Sequence, residues 1–190
     1  MKATNKIKRS ARWLFAALAF VFTTANAGAQ DYFPIEPGAE WRYNYSDTYD
    51  RSGEAETTVR LGEEKVEKGG EMYYKMESRT TMGSAEPTVS VTFVRKADDG
   101  AIYGINPTVS EDEYLFFPAS TEVGNVWTGL SGSSAVVETN ASVQTAAGDF
   151  TDCVVIESIA GEVKAYSYYQ KDKGLVAMKL GDLLVMYLKE

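Results

Sequence analysis

Beyond about residue 40 the chain alternates apolar and polar positions at period two. Trp41, Tyr43 and Tyr45 alternate with Arg42 and Asn44, and Thr57, Val59 and Leu61 with Glu56, Thr58 and Arg60. Met72, Tyr74 and Met76 alternate with Tyr73, Lys75 and Glu77, and the rhythm returns at Val89, Val91, Phe93 and at Val137, Thr139, Ala141, Val143. Such alternation sends one set of side chains to a buried face and the other to water, as in antiparallel sheets. Lys68-Gly69-Gly70, Asp98-Asp99-Gly100, Ala147-Gly148-Asp149 and Lys173-Gly174 separate the runs and read as hairpin turns. Pro34, Pro37, Pro87, Pro107 and Pro118 all fall outside the runs, since proline cannot complete a central ladder. No segment past residue 30 keeps a 3.6-residue stripe. The expected fold is all-β or nearly so, and antiparallel.

The pattern is also used twice. Phe33-Pro34 leads to Gly38-x-x-Trp41, and Phe117-Pro118 leads to Gly124-x-x-Trp127. GGEMYYKMES, ending at Ser78, then matches AGDFTDCVVIES, ending at Ser158, and the hairpin Phe93 to Tyr103 matches Tyr168 to Val176. Three matches in the same order predict two units of about five strands each, about 33–106 and 117–190, within one β-rich domain. A single sheet has an apolar face that must be covered. The two units are therefore expected to form a curved sheet or half-open barrel around a shared concave core, with Trp41 and Trp127 as matching anchors.

The start F-P-…-G-x-x-W-x-Y, with A-A-G-D-F-T-D-C and K-G-L-V later, resembles exported and mostly uncharacterised bacterial β-domains. Some of these are similar to the half-open β-barrels of lipoprotein carriers. That resemblance implies a fold and carries no catalytic residues.

The first 29 residues change the picture. Lys2, Lys6, Lys8, Arg9 and Arg12 precede the apolar run Trp13 to Phe22, followed by small residues with A-x-A sites at Ala25-Asn26-Ala27 and Ala27-Gly28-Ala29. A basic region, a short apolar core and a small-residue site make an export signal cleaved after Ala29, with Ala27 as the other candidate. Ten apolar residues are about half of the ~20 needed to cross a bilayer. No cysteine lies near the leader, so lipid anchoring is not expected. The working domain is then 30–190, periplasmic or secreted.

The leader carries five of the 19 basic residues and none of the 27 acidic ones, so its removal takes the formal net charge from −8 to −13. An acidic surface of this kind repels nucleic acid and anionic headgroups. Charged residues on the presumed outward faces argue against insertion as a membrane barrel. Cys153 is the sole cysteine, so the domain has no intrachain disulfide, and its apolar neighbours read as a buried thiol. The chain contains no histidine. Histidine-based triads, histidine metal sites and histidine pH switches are thereby excluded.

No G-x-S-x-G, G-x-x-x-x-G-K, C-x-x-C or G-x-G-x-x-G motif occurs, and no cofactor is expected. Glu111-Asp112-Glu113, Asp98-Asp99 and the Asp47/Asp50 pair near Glu54 lack the spacing of a calcium loop and read as solvated turns. No catalytic or metal-ligating residue is assigned. The aromatic content is the remaining clue, with 12 Tyr, 8 Phe and 3 Trp. A concave sheet lined by Trp41, Tyr43, Tyr74, Met76, Trp127, Tyr166 and Tyr168 would accept an apolar or acyl ligand. The expected function is a non-enzymatic binding or carrier protein. The alternatives are a structural or protein-interaction component of the cell envelope, and a carboxylate-dependent hydrolase.

Overall fold

The computed structural model describes residues 32–189, so the expected export signal and its cleavage site lie outside the described residues. The first half of the chain forms β1 (Glu40–Tyr45), β2 (Glu56–Lys68), β3 (Glu71–Thr81), β4 (Thr88–Lys96), β5 (Ile102–Asn106) and β6 (Ser110–Phe117). The second half forms β7 (Val126–Gly129), β8 (Gly132–Thr145), β9 (Gly148–Ala160), β10 (Val163–Gln170), β11 (Gly174–Leu180) and β12 (Leu183–Leu188). All twelve join one sheet in the order β6-β5-β4-β3-β2-β1-β12-β11-β10-β9-β8-β7, and every neighbouring pair is antiparallel. The sheet curls until β6 and β7 stand side by side without a ladder between them, which leaves a barrel open along one seam.

The all-β antiparallel expectation holds, but each half contributes six consecutive strands rather than five. The strand not foreseen in the first half is β6, whose Glu111-Asp112-Glu113 had read as a solvated turn. Glu113 instead lies in strand and takes a two-pronged ion pair from Arg95 of β4, at 2.6 and 2.9 Å. The expected turns are turns, and all five prolines lie outside the strands.

The two halves begin with the same local hydrogen bonds. Gly38 N–H donates to Leu61 O, Leu61 N–H to Ala39 O and Ala39 N–H to Glu36 O. Gly124 N–H donates to Val136 O, Val136 N–H to Asn125 O and Asn125 N–H to Glu122 O. Both glycines have positive φ, at 78° and 92°, a conformation available to glycine at little cost. Leu61 and Val136 are both buried in the core inside the barrel, with Val94, Ile102, Phe117, Val154 and Ile156. Phe33, from the segment that precedes β1, packs edge-on against Phe116 and beside Phe117.

Side-chain alternation along β9 separates two cores. Val154 and Ile156 face the interior, while Cys153 and Val155 join a second cluster with Ala141, Val143, Phe150, Val176, Ala177 and Tyr187. That cluster lies on the outer face of β8–β12. Register shifts along β8 between Val136 and Val143 bend the long β8–β9 hairpin, as bulges do. In the first half a shift between Leu61 and Lys65 bends β2–β3 in the same place.

This second, outer core corrects several expected faces. Ser90, Thr92 and Val94 of β4 point inward, so the apolar set Val89, Val91 and Phe93 faces out. Met72 is exposed and its neighbour Tyr73 is buried on the outer side. Val137 and Thr139 are exposed while Ala141 and Val143 are buried, because the register shifts change the phase in mid-strand.

Candidate functional site

Cross-strand register builds the interior in rows. Trp41 pairs with Val59, Val59 with Ser78, and Ser78 with Ser90, so these four residues form one row across β1–β4. In the other half Trp127 pairs with Ser134, Ser134 with Ser158, and Ser158 with Ala165. The next rows are Leu61, Met76, Thr92 and Val136, Ile156, Ser167. Each tryptophan therefore opens a strip that runs from indole to hydroxyls along the inner wall.

Two chambers sit on these strips. The first, of about 250 Å³, lies between the Trp41 row and the segment Phe33-Pro34, with Tyr43 and Met76 in its wall. The second, of about 240 Å³, lies at the seam, with Tyr114 and Phe116 from β6 on one side and Trp127 and Gly129 from β7 on the other. Phe116 and Tyr169 line both chambers, which adjoin at these two rings. Tyr169 also packs edge-on against Phe117, with ring centroids 5.0 Å apart.

Local contacts hold these walls in place. Trp41 Nε1–H donates to Lys173 O across the barrel end, at 3.0 Å. Ser134 and Ser158 share a hydroxyl hydrogen bond of 3.0 Å at the wall of the seam chamber. Gly132 brings the β7–β8 turn against β9: it has φ +143°, and a Cβ there would sit 2.2 Å from Ile159 O. Any side chain at Gly132 would force these strands apart.

The electrostatics of the interior are those of neutral hydroxyls. Among the described residues no Asp, Glu, Lys or Arg lines either chamber. The ionisable groups there are phenols. Burial pushes Tyr169 up to about 12, against a smaller opposing hydrogen bond with Ser167. Burial raises Tyr43 further, and the nearby Tyr169 adds to it. Tyr114 is raised by burial and partly relieved by a hydrogen bond with Thr92. All three remain protonated across the physiological range, so the walls offer O–H donors and oxygen acceptors but no charge.

The acidic clusters lie elsewhere. Asp50 accepts hydrogen bonds from Ser52 and from the backbone N–H of Ala55, and these hold its carboxyl below the usual range. Asp112 accepts from the Ser110 hydroxyl, and Glu113 is engaged by Arg95 and Tyr73. Among the described residues no three His, Cys, Asp or Glu are grouped to hold a metal ion.

Of the residues expected to line a ligand face, Trp41, Tyr43 and Met76 line the first chamber and Trp127 the second. Tyr74 points inward but packs on the inner core and reaches neither chamber. Tyr166 and Tyr168 face outward and pack against the second core, while Ala165, Ser167 and Tyr169 form the inner set of β10. Both faces of β10 are covered, so its apolar residues give no reading of which side is inside. Tyr169, Phe116 and the Ser134/Ser158 pair were not foreseen. The match of Ser78 to Ser158 at the ends of the repeated segments was the one sequence signal that pointed to them.

No protein-family model, curated protein or solved structure is significantly similar to the chain.

Proposed function

We propose that the protein is a soluble, exported, non-enzymatic binding or carrier module that holds an apolar or acyl ligand inside the barrel. The observation that carries this reading is the pair of adjoining chambers built on Trp41 and Trp127, open at the β6–β7 seam. Binding sites for small apolar molecules are concave, mostly apolar and supplied with a few placed polar groups. The outer surface supports an aqueous setting: Arg60, Lys75, Glu77 and Arg79 project from β2 and β3 on the face away from the core. Lipid-facing charges of this kind are costly in a membrane barrel. The basic, apolar and small-residue pattern of the first 29 residues supports a periplasmic or secreted location, and the matching turns and rows support a duplicated six-strand unit. The likeness to exported β-domains with half-open barrels agrees with this reading.

The test is uptake of N-phenyl-1-naphthylamine, an apolar dye that is dark in water, by the purified protein. We expect saturable emission with one dye per chain. Ser78→Leu, which pushes an apolar side chain into the first chamber, is expected to weaken uptake roughly tenfold, about 1.4 kcal/mol. Absence of dye uptake, together with no co-purifying small molecule by native mass spectrometry, would overturn the reading.

A second reading, a structural or interaction component of the envelope, is favoured by one observation. The facing edges of β6 and β7 carry no ladder, and unpaired edges can receive another strand. Stoichiometric capture of a single envelope protein, lost when the seam is closed by a disulfide, would support it over the carrier reading.

A further inference from the structure

The two chambers stand in equivalent places but differ in chemistry. Where the first row has Val59 beside Trp41, the second has Ser134 beside Trp127. Ser134 is buried, and its hydroxyl meets that of Ser158. Two hydroxyls bring two donors and four acceptor sites, and their mutual bond uses one of each. One O–H and several lone pairs therefore remain for a third group. Gly129 keeps that spot clear, since a Cβ there would lie 3.3 Å from Ser134 Oγ. The first chamber is walled by Phe33, Pro34, Trp41, Met76 and Leu175, and is the more apolar of the two.

The absent chemistry matters as much. A charged head placed in either chamber would find no side chain of opposite sign in the wall. Burying an ion without a partner is strongly unfavourable, whereas a neutral hydroxyl or ester needs only hydrogen bonds. An anion would also meet the negative field of an acidic protein.

We infer that the two chambers together take one uncharged amphiphile, with its unbranched apolar tail in the Trp41 chamber and its hydroxyl-bearing head against Ser134 and Ser158 at the seam. This rests on the binding reading above and names the class of ligand. The chambers adjoin at Phe116 and Tyr169, and the ligand would lie along these two rings where tail passes to head. At ~30 Å³ per water-sized group, the first chamber holds about eight such groups, which suits a medium-length chain.

The probes are 1-monooctanoylglycerol, octanoate and octyltrimethylammonium, which share a tail and differ in head charge. Each is titrated at pH 7.5 below its micellar concentration, with emission from Trp41 and Trp127 as the readout. We expect the monoacylglycerol to bind at least roughly tenfold more tightly than either ion. Ser134→Ala with Ser158→Ala should weaken monoacylglycerol binding by about tenfold. An unchanged circular dichroism spectrum and urea unfolding midpoint show that the double variant is folded. If octanoate or the ammonium binds as tightly as the glyceride, or the double variant leaves glyceride binding unchanged, the head-group inference is overturned while the carrier reading stands. If neither dye nor any octyl probe binds, both fall together.

Discussion

Hairpins β2–β3 and β8–β9 occupy matching places in the two halves, and each buries a residue on the outer face five positions before the matching serine. In the first hairpin that residue is Tyr73, 3% exposed, and in the second it is Cys153, 0% exposed. Around Tyr73 the contacts are polar and directed: its hydroxyl donates to Glu113, which also takes both prongs of Arg95, and Lys68 Nζ lies 4.0 Å from the centre of the Phe93 ring. Around Cys153 they are mainly apolar: it is buried in one cluster with Val143, Phe150, Val155, Val176 and Ala177, its thiol donates only a weak hydrogen bond to Thr151 O, and burial first, then Asp152, pushes the thiol up to about 11. The same backbone device is thus secured in one half by charge-assisted hydrogen bonds and in the other by area removed from water. The first form is directional and sensitive to pH and screening by salt, while the second is non-directional and carries no charge to titrate or screen.

The contrast can be broken most strongly in the apolar half. Phe150→Ala removes a large buried ring from the outer cluster and should destabilise the protein by about 3–4 kcal/mol in urea unfolding. The loss should be the same at low and high salt. It should also speed labelling of Cys153 by a thiol reagent at pH 8, since a buried, protonated thiol reacts only when the hairpin opens. A salt-dependent loss, or unchanged Cys153 labelling, would mean that this hairpin is not held as described.

A smaller effect is expected in the polar half. Glu113→Gln should cost about 1–2 kcal/mol, because it leaves Arg95 and Tyr73 with a weaker acceptor. Desolvation raises the Glu113 pKa, but the Arg95 and Tyr73 hydrogen bonds outweigh it, so the net value lies below the ordinary 4.5. A carboxylate whose folded pKa is depressed adds stability above its unfolded value and loses it as pH falls through the folded one. The native protein should therefore weaken below about pH 4.5 by a component that the Gln variant lacks. Parallel acid profiles for the two proteins would refute this. Cys153 labelling should be unaffected by the substitution.

The smallest effect is a control for the polar half. Lys75→Ala removes an ion pair to Glu77 whose side chains are 47% and 43% exposed. It should change stability by less than about 0.5 kcal/mol, as exposed pairs do. A larger change would show that charge on β3 matters beyond the Glu113 network.

Strands and turns were legible in the sequence because period-two runs and positive-φ glycines leave local marks. Trp41 and Trp127 were legible because each follows a repeated Gly-x-x-Trp entry. What escaped reading has a common physical cause. The long hairpins bend over the outer face, so β4, β9 and β10 have apolar residues on both sides and alternation no longer tells inside from outside. That is why Tyr166 and Tyr168 looked like site residues while Tyr169 holds the place. The Ser134/Ser158 pair escaped for another reason: two serines become a site only when register sets them opposite each other, and the bends in β8 obscured that register.

The short ladder between β1 and β12 ties the halves together. It pairs Tyr43 with Leu188, Asn44 with Tyr187 and Tyr45 with Met186, and among the described residues it is the one pairing between strands distant in sequence. It also stands six strands away from the open seam in either direction, at the opposite wall. The two six-strand meanders are therefore joined by one short ladder at the back and, inside, by the core that Leu61, Ile102 and Phe117 share with Val136, Val154 and Ile156. Because β6 and β7 share no ladder, side-chain packing and not backbone hydrogen bonding holds the seam together.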